Sequence, residues 1–174
     1  MTIDISAGVR ELSPTPDKPK SIIPEAPQQK QFRVLIIEDK ENIYQELEKS
    51  FGGEKNLSLE FVDGGREALI KLRAAKDEGN TFALLVTNQL VARQAEKRLN
   101  LAELVRAVKG EDLCSSVFLW TAHSADQFEL AQYERLGIRA TIDKANDPGN
   151  KNLKTVIEQE RARQELERGT ASPK

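Results

Sequence analysis

The chain has 174 residues, enough for one domain with a real core plus some tail, and its 39% hydrophobic and 31% charged residues are ordinary for a soluble protein. A formal net charge of -2 gives no global drive toward nucleic acid or a membrane surface, and no apolar run approaches the roughly 18 residues of a membrane-spanning helix. One cysteine, Cys114, excludes an internal disulfide framework, and beside a single histidine, His123, it cannot build a zinc site of the usual kind. The N-terminus carries no hydrophobic signal segment, so a cytoplasmic protein is expected.

Residues 1–31 hold five of the seven prolines, Pro14, Pro16, Pro19, Pro24 and Pro27, with few and balanced charges. Such a segment cannot offset its ordering entropy by burial, which predicts a disordered tail. From Phe32 the pattern alternates. The run FRVLII predicts a first strand over Phe32 to Ile37, followed by two acids. NIYQELEKSF has helical spacing at Ile43, Leu47 and Phe51. LSLEFV alternates with period two, and GREALIKLRAA is helical again, with Ala68, Leu69 and Leu72 on one face. Gly64-Gly65 shapes the turn into that helix. FALLVTN predicts a third strand ending on Asn88, LNLAELVRAVK a third helix, and SVFLWTA a fourth strand that takes Phe118 and Trp120 into its packing. ADQFELAQYERLG predicts the fourth helix, IRATIDK the fifth strand, and a long last helix begins near Asn150.

Val34 to Ile37 and Leu84 to Val86 are apolar on both faces, as a sheet covered by helices on each side requires. Five strands alternating with five helices predict an α/β architecture, a doubly wound five-stranded parallel sheet in three α/β/α layers. The folded domain is expected over 32–160. Beyond it, opposite charges four apart, Arg161 to Glu165 and Arg163 to Glu167, predict a charged, solvated extension of the last helix and a disordered tail over 161–174.

In such folds the functional crevice lies at the carboxyl ends of the strands. Those ends carry Glu38-Asp39, Thr87-Asn88, Thr121-Ala122 and Asp143-Lys144. Acids after a strand are common solvated loop residues, and each position alone says little. Together, two adjacent carboxylates, an amide, a hydroxyl and an ammonium make a pocket suited to a divalent cation and a phosphoryl group. Magnesium takes hard oxygen ligands and keeps several waters.

With these motifs the chain resembles the receiver domains of two-component response regulators, over Arg33 to about Glu160. VLIIED resembles the family's first strand with its acidic pair, LWTA its fourth-strand hydroxyl motif, and GIRATIDK its Gly-Ala-x-x-Tyr-x-x-Lys pattern from Gly137 to Lys144. The resemblance implies a flavodoxin-like (βα)5 fold, with Thr121 and Lys144 as the phosphate-side residues. It sets Asn88 where the family has its phospho-accepting aspartate; an alignment one residue earlier would set Thr87 there. In neither register is the acceptor a carboxylate. Magnesium would be held weakly, by Glu38, Asp39 and the Asn88 carbonyl. Other departures accompany this one. Thr141 stands in place of the aromatic switch residue, Ala145 in place of the proline after the lysine, and the loop after the third strand carries Arg93, Lys97 and Arg98.

The reading that follows is an atypical single-domain receiver, signalling through protein–protein contact without aspartyl phosphorylation. Its expected partner is a histidine kinase or a downstream effector, with neither nucleic acid nor membrane involved. The family's partner face, formed by the fourth helix, fifth strand and fifth helix, here includes Gln127, Tyr133 and Arg139. A second reading is a phosphorylatable receiver of a two-component phosphorelay in which asparagine has been substituted for the acceptor aspartate. A nucleotide-dependent enzyme is disfavoured, because neither a GxGxxG nor a P-loop pattern occurs. His123 lies just past Thr121 and is expected as an exposed loop residue.

Overall fold

Apolar runs of six to eight residues become strands here because both of their faces find helices to pack on. The protein is described by a computed structural model covering residues 31–88, 99–123 and 125–170. The strands are β1 (Phe32–Ile37), β2 (Leu57–Val62), β3 (Phe82–Thr87), β4 (Cys114–Thr121) and β5 (Ala140–Asp143). They alternate with α1 (Glu41–Phe51), α2 (Gly65–Asp77), α3 (Leu101–Gly110), α4 (Gln127–Leu136) and α5 (Lys151–Thr170). Two single turns, Lys144–Asn146 and Pro148–Asn150, join β5 to α5. All strand pairs are parallel, in the order β2-β1-β3-β4-β5. The doubly wound sheet expected from the alternation is therefore present, and its order reverses between β1 and β3.

Two cores flank the sheet. On one face Leu47 and Phe51 of α1 and Leu153 and Ile157 of α5 pack on Val34, Ile36, Val86, Phe118, Trp120 and Ile142. On the other, Leu69 and Leu72 of α2, Leu104, Val105 and Val108 of α3 and Tyr133 of α4 pack on Leu35, Ile37, Leu85, Val117 and Leu119. Central β3 is buried along its whole length, whereas edge strand β2 is only half-buried except at Val62.

The last helix departs from expectation. Its packing does not end at residue 160. Glu160 and Gln164 are both 5% exposed, and the Gln164 amide donates to the Ala83 carbonyl of β3 at 3.1 Å and to Glu160 Oε1 at 2.9 Å. Ser116 of β4 and Arg163 also donate to Glu160 Oε1, each at 2.5 Å. A boundary after residue 160 cuts through this buried network, which a polar sequence disguises as a solvated end. The predicted pairs do form on the outer side, Arg161 with Glu165 at 3.1 Å and Arg163 with Glu167. The expectations for residues 1–30, for the loop with Arg93, Lys97 and Arg98, and for residues 171–174 lie outside the described residues.

Candidate functional site

The reversal of strand order between β1 and β3 opens a crevice at the carboxyl edge of the sheet. Ile36 pairs with Val86 and Val86 with Phe118. Carried two residues on, that register sets Glu38, Asn88 and Trp120 side by side. Lys144 lies two residues past Ile142, the partner of Trp120.

Glu38 continues the ladder, its N–H donating to the Val62 carbonyl at 3.0 Å, so the backbone aims its side chain inward. The carboxylate is 1% exposed and its Oε2 accepts from Lys144 Nζ. Its Oε1 is buried and meets no hydrogen-bond donor among the described residues. The Glu38 carbonyl accepts from the Tyr44 hydroxyl of α1, whose ring stacks on Phe61 of β2 with centroids 4.7 Å apart. Burial, followed by the carboxylates of Asp63 and Glu38, pushes the Tyr44 phenol up from its ordinary value, so it stays a donor.

Lys144 Nζ also lies 4.2 Å over the centroid of the Trp120 ring. Its backbone is held by the turn that follows β5. Asp143 caps that turn, accepting from Ala145 N at 2.8 Å, Asn146 N at 3.3 Å and Asn146 Nδ2 at 2.7 Å. The Asn146 hydrogen bond leads in keeping the Asp143 carboxyl below its usual range. Asp147, itself buried, then caps α5 through Asn152 N at 2.7 Å and Leu153 N at 3.0 Å. These two caps do locally what a proline after Lys144 would do by fixing φ.

The hydroxyl of Thr121 is buried and accepts from the His123 backbone N–H at 3.1 Å. Thr87 Oγ1 donates to the Asn88 carbonyl at 3.3 Å. Asp39 is exposed and Asn88 half-buried. His123 is exposed, as expected, with Nε2 3.3 Å from Glu129 Oε2. The predicted residues thus share one edge, and Glu38 and Lys144 are in direct contact.

Among the described residues no three His, Cys, Asp or Glu side chains form a group able to hold a metal. What remains is Glu38, Asp39 and the amide oxygen of Asn88, with the unpartnered Glu38 Oε1 as a buried hard acceptor. That oxygen set fits magnesium chemically, with water completing the shell, although Lys144 already occupies the other oxygen of Glu38.

On the expected partner face, Gln127 is exposed at the start of α4 and the Arg139 side chain is 45% exposed, 3.8 Å from Glu160 Oε2. Tyr133 is not available there. It is the buried residue of α4, packed into the core beside Ile138, because its position on the helix faces α3 and the sheet. The exposed apolar side chains of α4 are Phe128 and Leu130. Sequence reasoning also missed Trp120 as the platform under Lys144. The signal available was parity: Trp120 follows Phe118 by two residues on β4, as Lys144 follows Ile142.

No protein-family model matches the chain, and no curated protein matches it. Solved structures do. The signal receiver domain of a LuxO repressor protein from Vibrio parahaemolyticus superposes with a TM-score of 0.66 at 18% identity, covering 82% of this chain and 98% of that one. A signal receiver domain of an HD domain-containing protein from Pseudomonas fluorescens gives 0.63 at 18% identity, over 83% and 96% of the two chains. The response regulator domain of Thermotoga maritima CheB gives 0.58 at 15% identity, over 76% and 95%. The chain has the flavodoxin-like fold of response regulator receiver domains.

Proposed function

We propose that this chain is an atypical receiver that acts in signal transduction through protein–protein contact, without aspartyl phosphorylation. The observation that carries the reading is Asn88 at the end of β3, level with Glu38 and Trp120 at the crevice. Phosphoryl transfer to such a site needs a carboxylate oxygen as nucleophile, aligned with the incoming phosphorus. An amide oxygen is a poor nucleophile and gives no stable acyl phosphate. The same change takes one negative charge from the pocket and relieves repulsion among its carboxylates.

Magnesium, when bound, would be held by Glu38, Asp39 and Asn88, and would supply countercharge to the acids. This chain's own groups do the rest: Lys144 neutralises Glu38, Tyr44 and Asp143 fix the backbone on either side, and Thr121 holds the β4–α4 loop. A pocket locked in this way favours one conformation, which suits a binding module. The partner is a signalling protein, a histidine kinase or a downstream effector, met on the face that carries exposed Gln127, Phe128 and Arg139.

The test is incubation with a small-molecule phosphodonor and magnesium, read by intact mass. The expected result is no phosphoryl adduct on the wild-type protein. A stable adduct at residue 88 would overturn the reading. Labelling that appears only in Asn88→Asp supports the view that an otherwise competent phosphorelay receiver has lost its acceptor.

A further inference from the structure

At the end of the sheet away from the crevice, where α1 hands over to β2, a groove of about 220 Å³ opens beside Phe51, Leu57 and Leu59. Its size suits apolar side chains rather than a lone water, whose share of the liquid is about 30 Å³. The groove exists because part of its wall is bare backbone. Gly52 and Gly53 line it, and a Cβ at Gly53 would meet nothing within 4 Å. Lys154 and Arg161 of α5 hold Glu54 on one side, at 3.4 and 3.5 Å. Glu48 stands exposed on the rim. Among the described residues β2 pairs with β1 alone. Leu57 and Leu59 are therefore left half-buried on a strand with an open edge.

We propose that this groove is the docking site of the chain's own N-terminal segment, filled by Ile22 and Ile23. The chain enters β1 beside the groove: the Phe32 N–H donates to the Asn56 carbonyl at 2.8 Å, and Phe32 is the register partner of Leu57. Residues 1–30 all precede that point, and Ile22-Ile23 is their only adjacent hydrophobic pair. Ile23 comes eight residues before Gln31, a reach of up to about 26 Å, whereas β1 and β2 lie about 5 Å apart as neighbouring strands do. Charge agrees with this occupant. Residues 18–30 carry Lys18, Lys20 and Lys30 against the single acid Glu25, and the rim of the groove presents Glu48. The docked pair covers the apolar flank of the edge strand, which a second copy or another protein would otherwise meet. The contact is remote from Asn88 and independent of whether that residue takes a phosphoryl group.

The test is paramagnetic broadening of amide signals in the whole, isotope-labelled chain with a nitroxide at Ser21→Cys. Cys114 is buried, and burial pushes its thiol up to about 11, so the label goes to the new cysteine. The signals of Gly53, Leu57 and Leu59 are expected to broaden. A segment merely tethered at Phe32 would broaden them too, so the deciding comparison is Ile22→Ser/Ile23→Ser, which keeps the tether. Broadening at the groove should largely disappear in that variant; equal broadening overturns the proposal. Mixing spin-labelled protein with isotope-labelled protein that lacks the nitroxide tests a second copy. Broadening at the groove in that mixture assigns the pair to a neighbouring molecule and overturns docking within one chain; its absence supports it. Trypsin gives an independent readout. Cleavage after Lys20 should run about fivefold or more faster in the double variant, with cleavage after Arg10 unchanged, because protection follows the docked population. Equal rates after Lys20 overturn the proposal as well.

Discussion

An amide and a carboxylate have nearly the same shape, so on the proposed reading Asn88 keeps the geometry of the crevice while lacking a carboxylate's charge and nucleophilic oxygen. The opposite case is Glu160, where the charge is the structural element. Burial pushes its carboxyl up, but hydrogen bonds from Arg163, Gln164 and Ser116 outweigh burial and bring it from an ordinary 4.5 down to about 2. A carboxyl lowered in the folded state stabilises above its unfolded value, and that contribution disappears as pH falls from about 4.5 toward 2. At neutral pH it contributes at most about 3 kcal/mol, less what solvent screening takes, and Glu160→Gln should remove part of it. Thermal melts across this pH range check it: the variant melts lower at pH 7, and its stability falls less steeply on acidification.

At the scale of elements, the ends of the helices decide where the loops carry their side chains. Asn100 and Asp126 each form a reciprocal capping box, with Glu103 and Glu129 three residues on. Glu129 Oε2 meets both the Asp126 N–H and His123, which ties the loop after Thr121 to the first turn of α4. At the other end of α4, Gly137 closes the helix at φ 90°, a left-handed conformation that glycine adopts without strain. A Cβ there would also meet Lys109 Cε at 3.3 Å. Gly137→Ala should therefore cost about 1 kcal/mol of stability, measured by denaturant unfolding, with no change at the crevice some distance away.

For the whole molecule, α5 is the strap that joins the sheet's two ends. Its start is capped by Asp147 beside the turn that carries Lys144, and its later half is tied to β3 and β4 through Gln164 and Glu160. Arg161 reaches across to Glu54 after α1, at 3.5 Å. A chain ending at residue 160 should be far less stable than one ending at residue 169, because truncation strips Arg163 and Gln164 from a buried carboxylate and leaves it only Arg139, at 3.8 Å. Comparing the two melting temperatures checks this; equal values would restore the solvated-extension reading of residues 161–174.

The order of elements was legible because burial on both faces imposes continuous apolar runs on the inner strands and a helical period on what lies between. That pattern located β1 and β2 to the residue and β3 to within one. The crevice residues were legible for a similar reason: a parallel sheet sends every strand's last residue to one edge, so chemistry there is a matter of counting. Contacts between segments distant in the chain were not legible. Tyr133 was expected at the surface, but the inward position of a helix with a weak apolar stripe is settled only by what packs against it. Glu160 and Gln164 read as solvated because a polar helix face looks the same whether it meets water or a matching set of donors. The sequence by itself determined the layers and the strand ends. Only the tertiary structure decided that Lys144 lies between Glu38 and Trp120, because that pairing depends on strand order and on a capped turn rather than on any local pattern.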